Sequence, residues 1–407
     1  MKIKRIFILI IIIITLFRYE CIADIENEED DGIIGEWSES ENNYSKEPEL
    51  FSKHVICIER STEQVLYEKD AYTKCAMAST TKILTGIIVI ENCELNEEVK
   101  ISKKAACTGG STLGISEGQI LTVESLLYGL LLRSGNDTAV ALAEYVGETI
   151  DDFSIIMNNK AKEIGLKNSN FVTPHGLDDD NHYTTAYDLA ILTNYALKNE
   201  TFTKIVGTKQ ISVMIGNNQR ILNNTNELLG NVNGLYGVKT GFTGNAGRCL
   251  VTACRRGDLD IIVVVLGSDT KKIRGSDSKK VIEYVFGNFK MVDTEKEIQD
   301  LFNNFKNTQK IKTLKSLSKI KIDFKKRKNY ICPIDKNNIS KIKTSIYCLN
   351  RIEAPIKSKT IIGKMRLICD DKILYEIDVY LDKKLDRINW KDYLGIFVKK
   401  YITFYSI

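Results

Sequence analysis

A serine and a lysine three residues apart, Ser79 and Lys82, have the spacing of a nucleophile and its base. Near the start of a helix such residues share one face, with Cβ atoms about 5–6 Å apart. A serine hydroxyl needs a neighbouring base to become a nucleophile, and a lysine is such a base when its surroundings lower its pKa. The apolar run after Lys82 indicates burial of this kind. The pair predicts covalent serine chemistry. The alternative is that Ser79 is the N-cap of a helix and that Lys82 is only a side chain on that helix.

Two later segments place polar side chains where a cleft can form. Ser134–Asn136 lies between an apolar stretch typical of a helix and a second helix that starts at Asp137. In a tight loop between buried helices, a hydroxyl and an amide can project into a cleft, although ordinary turns use the same residue types. Lys239–Gly241 precedes two strand-like segments. Gly241 lets an extended substrate lie close against a strand edge, and the segment lacks the ending of a phosphate-binding loop.

The order Ser-x-x-Lys, Ser-x-Asn, Lys-Thr-Gly is typical of the penicillin-recognising serine enzymes. The chain most closely resembles their low-molecular-mass members, the serine-type D-alanyl-D-alanine carboxypeptidases. Three further segments resemble that family: Pro174–Leu177, Asn181–Ala186 and Ala246–Arg248. The resemblance covers about Lys53 to Asp382 and weakens after Val292. It implies an α/β fold of the β-lactamase and transpeptidase type, an antiparallel sheet with helices on both sides, with neither a cofactor nor a metal.

The resemblance also implies a role for each matching residue. Ser79 would be the nucleophile that forms the acyl-enzyme, and Lys82 would be its general base. Ser134 would relay the proton to the leaving D-alanine, while Asn136 would hold the peptide amide of the substrate. The backbone N–H groups of Ser79 and Phe242 would form the oxyanion hole, in which one donor is often worth about 3–4 kcal/mol.

The implied substrate is the stem pentapeptide of peptidoglycan, and β-lactam antibiotics are the implied covalent inhibitors. Lys239 and Thr240 would contact the terminal carboxylate, as a fixed cation beside a strand edge can do. Arg274 matches a basic position near that carboxylate pocket, although a surface run of lysine and arginine is an equally good interpretation. The implied reaction removes the terminal D-alanine and so limits cross-linking in cell-wall biosynthesis.

Four alternatives are considered. A transpeptidase that uses an amine acceptor stays open, because the choice of acceptor depends on the shape of the cleft. A β-lactamase of class A needs a glutamate that activates water, and no segment between Asn136 and Lys239 matches its loop. A histidine triad could use His175 or His182 with the aspartates at 178–180, but in the family this segment borders the cleft and builds structure. A catalytically silent wall-binding protein on the same fold would be intact and would not be acylated.

The first 23 residues have the pattern of a secretory signal peptide. A positively charged start precedes an apolar run over Ile6–Phe17, and cleavage is predicted after Ala23. The run is short for a spanning helix, which needs about 20 residues; an uncleaved anchor is the alternative. Residues 24–50 are acidic and have few apolar side chains, which predicts a flexible leader. We expect an exported protein on the outer face of the cytoplasmic membrane.

After Val292 short alternating segments predict a small all-β domain, which in the family acts as a stalk. From Trp390 onward, aromatic and aliphatic residues recur at helical spacing with lysines among them, which favours a helix that lies on an anionic leaflet; the alternative is packing on the β-domain. The predicted division is a signal peptide (1–23), an acidic leader (24–50), a catalytic domain (51–292), a β-sandwich stalk (293–384) and a membrane-associating helix (385–407).

Charge and cysteine content add little chemistry. The net charge is +4 over 407 residues, and a basic run at Lys325–Lys328 belongs to a lysine-rich C-terminal part. Export argues against nucleic acid as a partner, so this run is interpreted as a solvated face or as a segment attracted to anionic wall or membrane surfaces.

Of ten cysteines, nine remain after cleavage, and none has Cys-x-x-Cys spacing. Cys332 and Cys348 are the one pair considered for a disulfide.

Overall fold

The computed structural model describes residues 46–216, 218–308 and 311–404, with side chains described as far as residue 398. The predicted signal peptide and nearly all of the predicted acidic leader lie outside these ranges. The chain divides into two compact units, Met1–Gly287 and Asn288–Ile407.

Helices and strands are mixed along the first unit, whereas strands dominate the second. The α-helices in the described ranges are α1 (Lys82–Asn92), α2 (Lys103–Ala106), α3 (Val123–Leu131), α4 (Asn136–Gly147), α5 (Ile150–Ile164), α6 (Ala186–Ala196), α7 (Glu200–Val206), α8 (Lys271–Asn288), α9 (Glu295–Thr308) and α10 (Trp390–Phe404). Short 3-10 helices span Ala78–Thr81 and Lys336–Lys341. The strands are β1 (His54–Glu59), β2 (Val65–Lys69), β3 (Glu98–Lys100), β4 (Ile120–Thr122), β5 (Gln210–Ile215), β6 (Asn218–Asn223), β7 (Leu235–Thr243), β8 (Gly247–Arg256), β9 (Leu259–Ser268), β10 (Phe289–Asp293), β11 (Lys312–Leu314), β12 (Ile322–Phe324), β13 (Ile331–Asp335), β14 (Ile342–Cys348), β15 (Arg351–Glu353), β16 (Ile361–Cys369) and β17 (Lys372–Leu381).

Five antiparallel strands form the central sheet of the first unit, in the order β2-β1-β9-β8-β7. The middle strand β9 is buried from Leu259 to Leu266, and a strand covered on both faces has such a nearly continuous apolar sequence. Helix α6 packs against β1 and β9, and Tyr284 of α8 meets Tyr67 of β2 edge to face. The expected antiparallel sheet with helices is confirmed. Strand β7 ends the sheet, so no described strand pairs with its outer edge.

Helix α1 lies at the centre of the helical part of this unit. Its residues from Lys82 to Val89 are all buried, and they include the charged Lys82 and the polar Thr85 beside apolar side chains. Gly86 allows α3 to approach closely, since a Cβ at that position would lie 3.2 Å from Cδ2 of Leu131. Helices α3 and α4 are joined by the short loop at 132–135, and this connection brings the first residue of α4, Asn136, to the start of α1.

The second unit contains a four-stranded antiparallel sheet in the order β12-β17-β16-β14, and the pairs β10-β13 and β11-β15 form separate small sheets. Alternate residues of β16, such as Met365 and Leu367, are buried, which gives the period-two pattern of a sheet with one apolar face. The expected C-terminal all-β domain is confirmed. Helix α9 was not expected there, and it contributes Ile298 and Phe302 to the core.

Helix α10 follows the all-β core and exposes large apolar side chains, among them Trp390 and Phe397. Within the described part of the chain, no helix combines the length and apolar character that crossing a membrane requires. The predicted association of this helix with a membrane surface stays a prediction.

Within the described ranges no disulfide joins Cys332 to Cys348. Burial raises the pKa of Cys348 to about 11, and burial likewise raises the pKa of Cys254 to about 12. These thiols are therefore protonated at neutral pH, as expected of small buried apolar side chains.

Candidate active site

The turn that carries Ser79 is formed by the 3-10 helix Ala78–Thr81, and α1 continues from it at Lys82. The N-cap of α1 is Thr81, and no side chain caps this end. Ser79 is therefore not a helix cap, which removes the alternative considered from the sequence. Ala78 has a φ of 50°, in the left-handed region that few L-residues adopt. This backbone conformation directly precedes the serine.

Lys82 is fully buried, and its side-chain nitrogen Nζ is surrounded by oxygen atoms. Nζ lies 2.8 Å from Oγ of Ser79, 2.7 Å from Oδ1 of Asn136 and 3.1 Å from the carbonyl oxygen of His175. The three acceptors come from three separate segments of the chain. A buried lysine with such partners has a fixed position, as proton transfer to or from Ser79 requires.

Asn136, the first residue of α4, connects Lys82 with the glycine-rich loop before β4. Its side-chain Nδ2 donates to the carbonyl oxygen of Gly109 at 2.8 Å, and its backbone N–H donates to the carbonyl oxygen of Ser111 at 2.7 Å. Its Oδ1 accepts from Nζ of Lys82. Asn136 therefore positions Lys82, and its amide retains one N–H and one lone pair beyond these two side-chain bonds.

Ser134 lies in the loop that leads into α4, with a φ of 66° and 7% of its surface exposed. It is two residues before Asn136, whose side chain contacts Lys82. The second serine of the predicted set therefore belongs to the same short segment that positions the buried lysine. Its predicted part in proton transfer stays a prediction.

Strand β7 lies directly against the nucleophile turn. A Cβ added to Gly241 would be 3.0 Å from the backbone nitrogen of Ser79 and 3.2 Å from the carbonyl oxygen of Met77. A larger residue could be accepted only if backbone atoms moved, because neither atom belongs to a flexible side chain. The glycine of the Lys-Thr-Gly segment therefore brings the edge strand and Ser79 together, in addition to the role in substrate approach expected from the sequence.

The cation of the third segment is almost as deeply buried as Lys82. Lys239 is 1% exposed, and its Nζ donates to the carbonyl oxygen of Thr240 at 2.8 Å. The hydroxyl oxygens of Thr240 and Thr225 are 2.7 Å apart. Thr240 precedes Gly241 in the strand, so it lies one residue from the contact with the nucleophile turn.

Arg274 differs from the sequence expectation. It is 3% exposed, so the interpretation as part of a surface run is wrong for this residue. Its guanidinium donates to both carboxylate oxygens of Glu227, at 3.2 and 2.7 Å, and more weakly to the carbonyl of Cys249 at 3.5 Å. Glu227 would therefore compete with a substrate carboxylate for this guanidinium. The contact of Arg274 with substrate therefore stays a prediction with a competing partner.

Both histidines of the loop before α6 have structural contacts. Burial lowers the pKa of His175 to about 3 and that of His182 to about 4, so both rings are neutral at pH 7. Nε2 of His182 lies 2.8 Å from Oγ1 of Thr81, and its Nδ1 accepts a hydrogen bond from the backbone of Val172. Nδ1 of His175 accepts from the backbone of Leu177. None of these contacts joins an imidazole to Ser79 as a triad would require.

The contacts that two aspartates make with these segments were missed from the sequence. The carboxylate of Asp137 accepts hydrogen bonds from the backbone of Leu113 and Gly114 at 2.9 and 2.8 Å, and so holds the loop that Asn136 also contacts. Asp178 accepts a hydrogen bond from the hydroxyl of Thr243 at 2.6 Å. Asp137 lies in the first turn of α4, where the sequence indicated only the start of a helix. Its partners could not be predicted because they are distant in sequence.

The fold, with the edge strand of an antiparallel sheet against a serine–lysine turn, is that of the penicillin-binding serine enzymes. The family model described as D-alanyl-D-alanine carboxypeptidase matches residues 41–270, and the model of the penicillin-binding protein 5 C-terminal domain matches residues 297–387. The chain belongs to the D-alanyl-D-alanine carboxypeptidase family. The resemblance stated from the motifs is confirmed.

Individual relatives give the same result. The D-alanyl-D-alanine carboxypeptidase DacF of Bacillus subtilis is 32% identical over 349 residues, which covers 84% of this chain and 88% of the relative. DacC of Escherichia coli is 34% identical over 268 residues, 60% of this chain and 64% of that protein. The structure is similar to penicillin-binding protein 5 of Haemophilus influenzae, with a TM-score of 0.70 and 25% identity over 84% of this chain and 99% of the other.

A second solved structure matches a smaller share of the chain. The Streptomyces K15 DD-transpeptidase aligns with a TM-score of 0.57 and 34% identity, over 59% of this chain and 99% of that chain. The chain described here is therefore a serine-type D-alanyl-D-alanine carboxypeptidase, a hydrolase of the peptidase class. The family and its relatives support this function, and they do not support the β-lactamase or the silent wall-binding alternative.

Proposed function

We propose that this carboxypeptidase removes the terminal D-alanine of the peptidoglycan stem pentapeptide through an ester of Ser79, and thereby limits cross-linking of the cell wall. The observation that carries the proposal is the distance of 2.8 Å between Nζ of the buried Lys82 and Oγ of Ser79. A base held at this distance satisfies the geometric requirement for activation of a serine.

In the acylation step, Lys82 as a neutral amine accepts the hydroxyl proton of Ser79, and the serine oxygen attacks the carbonyl carbon between the last two D-alanines. The carbonyl electron pair moves onto oxygen, where the N–H groups of Ser79 and Phe242 are proposed to stabilise it. When the intermediate collapses, the C–N bond breaks. The proton passes from Lys82 through the hydroxyl of Ser134 to the leaving amine, and free D-alanine departs.

Deacylation repeats these steps with water in place of the serine. Lys82 accepts a proton from water, the hydroxide oxygen attacks the ester carbonyl, and the Ser79–acyl bond breaks. The proton returns to the serine oxygen. The enzyme is restored, and the product is a stem peptide one residue shorter with a new carboxylate.

Strand β7 is proposed to bind the end of the substrate. Its outer edge has no strand partner in the described chain, and an extended peptide can add to such an edge through backbone hydrogen bonds. Lys239 and Thr240 would contact the terminal carboxylate at this edge. Asn136 would hold the peptide amide with the N–H and the lone pair that its contacts with Lys82 and Gly109 leave over.

β-Lactams would react by the same acylation step. The amide bond that breaks lies within the lactam ring, so the leaving amine stays attached to the acyl group and does not depart as D-alanine does. The ester of Ser79 then blocks the cleft. Covalent inhibition by penicillin is accordingly part of the proposed function.

We assign catalysis to residues 51–292 and a spacing role to residues 293–384. Support comes from the contacts of Ser79, Lys82, Asn136 and Gly241, which all lie within the first compact unit. Apolar side chains, among them Met365 and Val379, form a core in the second unit, which suits a structural role.

Export by residues 1–23 and attachment by residues 385–407 complete the proposal. The support for attachment is the exposure of Trp390 (70%) and Phe397 (59%) on α10, whose sequence also carries lysines. Sedimentation with phosphatidylglycerol vesicles tests it: the variant Trp390→Ala/Phe397→Ala should lose binding. Tyr347→Ala, at a side chain 61% exposed on β14, is the control and should bind like the unmodified chain. Equal vesicle binding by the unmodified chain, the double variant and the control would contradict attachment through α10.

Labelling with a fluorescent penicillin, together with an assay of D-alanine release from a pentapeptide, tests the catalytic proposal. The unmodified protein should be labelled and should release D-alanine, and Ser79→Ala should do neither. Hydrolysis of penicillin at many turnovers per second would favour a β-lactamase. A folded, unlabelled protein would favour a silent wall-binding role.

A further inference from the structure

The nucleophile turn has an external support that the proposed chemistry does not use. Ala78 has a φ of 50°, a left-handed backbone conformation that costs about 1 kcal/mol or more for an L-residue. Such a conformation persists only where surrounding contacts determine it. The backbone nitrogen of the next residue, Ser79, is one of the two proposed oxyanion donors, so the angle of this turn matters to catalysis.

A chain of hydrogen bonds leads from this turn to the histidine loop. Oγ1 of Thr81 donates to the carbonyl oxygen of Ala78 at 2.9 Å, and the same Oγ1 lies 2.8 Å from Nε2 of His182. Thr81 is fully buried and His182 is 3% exposed, so water does not compete for either group. Because the threonine proton points to Ala78, its oxygen is left to accept a hydrogen bond from the imidazole.

The other ring nitrogen fixes the tautomer that this chain needs. Nδ1 of His182 accepts hydrogen bonds from the backbone N–H groups of Val172 and Thr173, at 2.9 and 3.3 Å. An accepting Nδ1 leaves the proton on Nε2 in a neutral ring. The direction of every bond is then set: Val172 donates to His182, His182 to Thr81, and Thr81 to Ala78.

The backbone of the same loop also packs against the carbonyl group of Ala78. A Cβ added to Gly176 would lie 1.9 Å from that oxygen, so the loop backbone packs directly against it. The loop therefore contacts the turn through backbone packing at Gly176 and through the hydrogen-bond chain from His182.

We infer that His182 is a positioning residue which, through Thr81, holds the Ala78–Ser79 turn in the conformation that aims the serine nucleophile and its backbone N–H. The inference rests on the proposed role of Ser79 and adds the residue that sets its geometry. His182 takes no proton from the substrate in this role.

Helix α1 supplies a matched control. Thr85, one turn after Thr81, is also fully buried, and its hydroxyl also donates to a backbone carbonyl, that of Pro174 in the histidine loop, at 2.7 Å. Thr81→Val and Thr85→Val each remove one buried hydroxyl and one hydrogen bond to a carbonyl. Of these two carbonyls, only that of Ala78 belongs to the nucleophile turn.

The experiment compares these variants for the rate of acylation by penicillin, for kcat and KM of D-alanine release, and for the unfolding midpoint. We expect the larger loss of midpoint for Thr81→Val, because it also leaves the buried Nε2–H of His182 without its acceptor, and we expect KM of both variants within about threefold of the unmodified enzyme. Acylation and kcat should fall about 10- to 100-fold in Thr81→Val alone, since a displacement of about 1 Å can cost 10²-fold in rate. Thr81→Ser should restore most of this loss.

Two substitutions of the histidine test the direction of the chain. His182→Gln can keep a donor near the position of Nε2, whereas His182→Asn keeps only the acceptor near Nδ1. We expect His182→Asn to be acylated at least about fivefold more slowly than His182→Gln, because only the glutamine can still donate to Thr81. Equal rates for the two histidine variants, or equal rates for Thr81→Val and Thr85→Val, would overturn the inference.

The failure of the inference can be told apart from the failure of the proposed function. If the unmodified enzyme is not acylated on Ser79, the proposed function fails. If it is acylated and Thr81→Val reacts as fast as Thr85→Val, only the role of His182 and Thr81 fails. Should a histidine variant not fold, the threonine pair still decides between these outcomes.

Discussion

The two sides of the candidate cleft are built differently. On the helical side, Lys82 is held by Ser79, Asn136 and the backbone of His175, which come from three separate segments. On the strand side, Nζ of Lys239 bonds the carbonyl of the neighbouring residue in its own strand, and the outer edge of β7 has no described strand partner. On the proposed function, the chemical groups would be positioned before substrate arrives, while the edge of β7 would be completed by the substrate.

This difference predicts that changes on the helical side lower kcat, whereas changes on the strand side raise KM. The two lysines make the comparison direct, because both are almost completely buried. The contact between the two sides, at Gly241, should affect both parameters.

The largest effect is expected for Lys82→Met. This change removes the base and leaves the acceptor oxygens of Asn136 and His175 without this donor, while methionine occupies a similar volume. A general base contributes about 10²–10⁴-fold to rate, so we expect kcat and acylation by penicillin to fall by that factor. Circular dichroism should show a folded protein. A folded variant with unchanged acylation would contradict the separation of roles.

The next largest effect is expected where the two sides meet. Gly241→Ala places a Cβ 3.0 Å from the nitrogen of Ser79, so the strand and the turn must separate. The neighbouring backbone must give by a few tenths of an ångström, and since a displacement of about 1 Å can cost about 10²-fold in rate, we expect acylation to slow about 10- to 100-fold. Gly244→Ala is the control, because a Cβ there meets no atom within 4 Å. Similar acylation rates for the two variants would show that this contact does not position Ser79.

Lys239→Met should act mainly on binding. A hydrogen bond to a charged group contributes about 1.5–3 kcal/mol, which corresponds to about 10- to 100-fold in kcat/KM, and we expect most of it to appear in KM. Steady-state kinetics with a peptide that ends in D-alanyl-D-alanine provides the measurement. A loss confined to kcat would place Lys239 with the chemical groups and would remove the distinction between the two sides.

Arg274→Met separates the sequence expectation from the geometry. If Arg274 bound the substrate carboxylate, KM would rise as it does for Lys239→Met. Because its guanidinium bonds Glu227 instead, we expect KM to stay within about twofold and the protein to lose stability. Glu227 is 37% exposed, and solvent screening limits this loss to about 1 kcal/mol. Thermal unfolding and steady-state kinetics on the same preparation distinguish the two outcomes.

Protonation of the histidines is expected to have the smallest effect at neutral pH, because its contribution appears only as a pH dependence of stability. Burial lowers the pKa of His182 to about 4 from its usual 6.5, against the opposite influence of Asp179 and Asp178. As the pH falls, the unfolded state binds this proton first, so stability is complete above about pH 6.5 and is lost progressively towards pH 4. Burial lowers the pKa of His175 in the same direction. We expect the unfolding midpoint to fall with pH in this window, and less steeply in His182→Gln; parallel curves would contradict this.

The sequence could predict the groups that chemistry constrains most. Ser79 and Lys82 have a spacing that only a helical turn converts into contact, and Gly241 was expected at a place of close approach. The all-β character of the second unit followed from alternating segments such as β16. These features depend on neighbours a few residues apart, and periodicity records such neighbours.

The remaining features depend on contacts between residues distant in sequence. The pairing of Arg274 with Glu227 could not be read from a basic run, and the bond between His182 and Thr81 joins residues about a hundred positions apart. Helix α9 was missed because the alternating segments after Val292 led us to predict strands for that whole region. Sequence patterns identify which polar side chains are present, but the fold determines which of them already bond other residues of the chain.

Mass spectrometry of the penicillin adduct tests the central claim most directly. After incubation with penicillin and digestion, the peptide that contains Ser79 should carry the mass of one penicillin, and Ser79→Ala should carry none. An adduct on another residue, or D-alanine release that persists in Ser79→Ala, would contradict the assignment of Ser79 as the nucleophile.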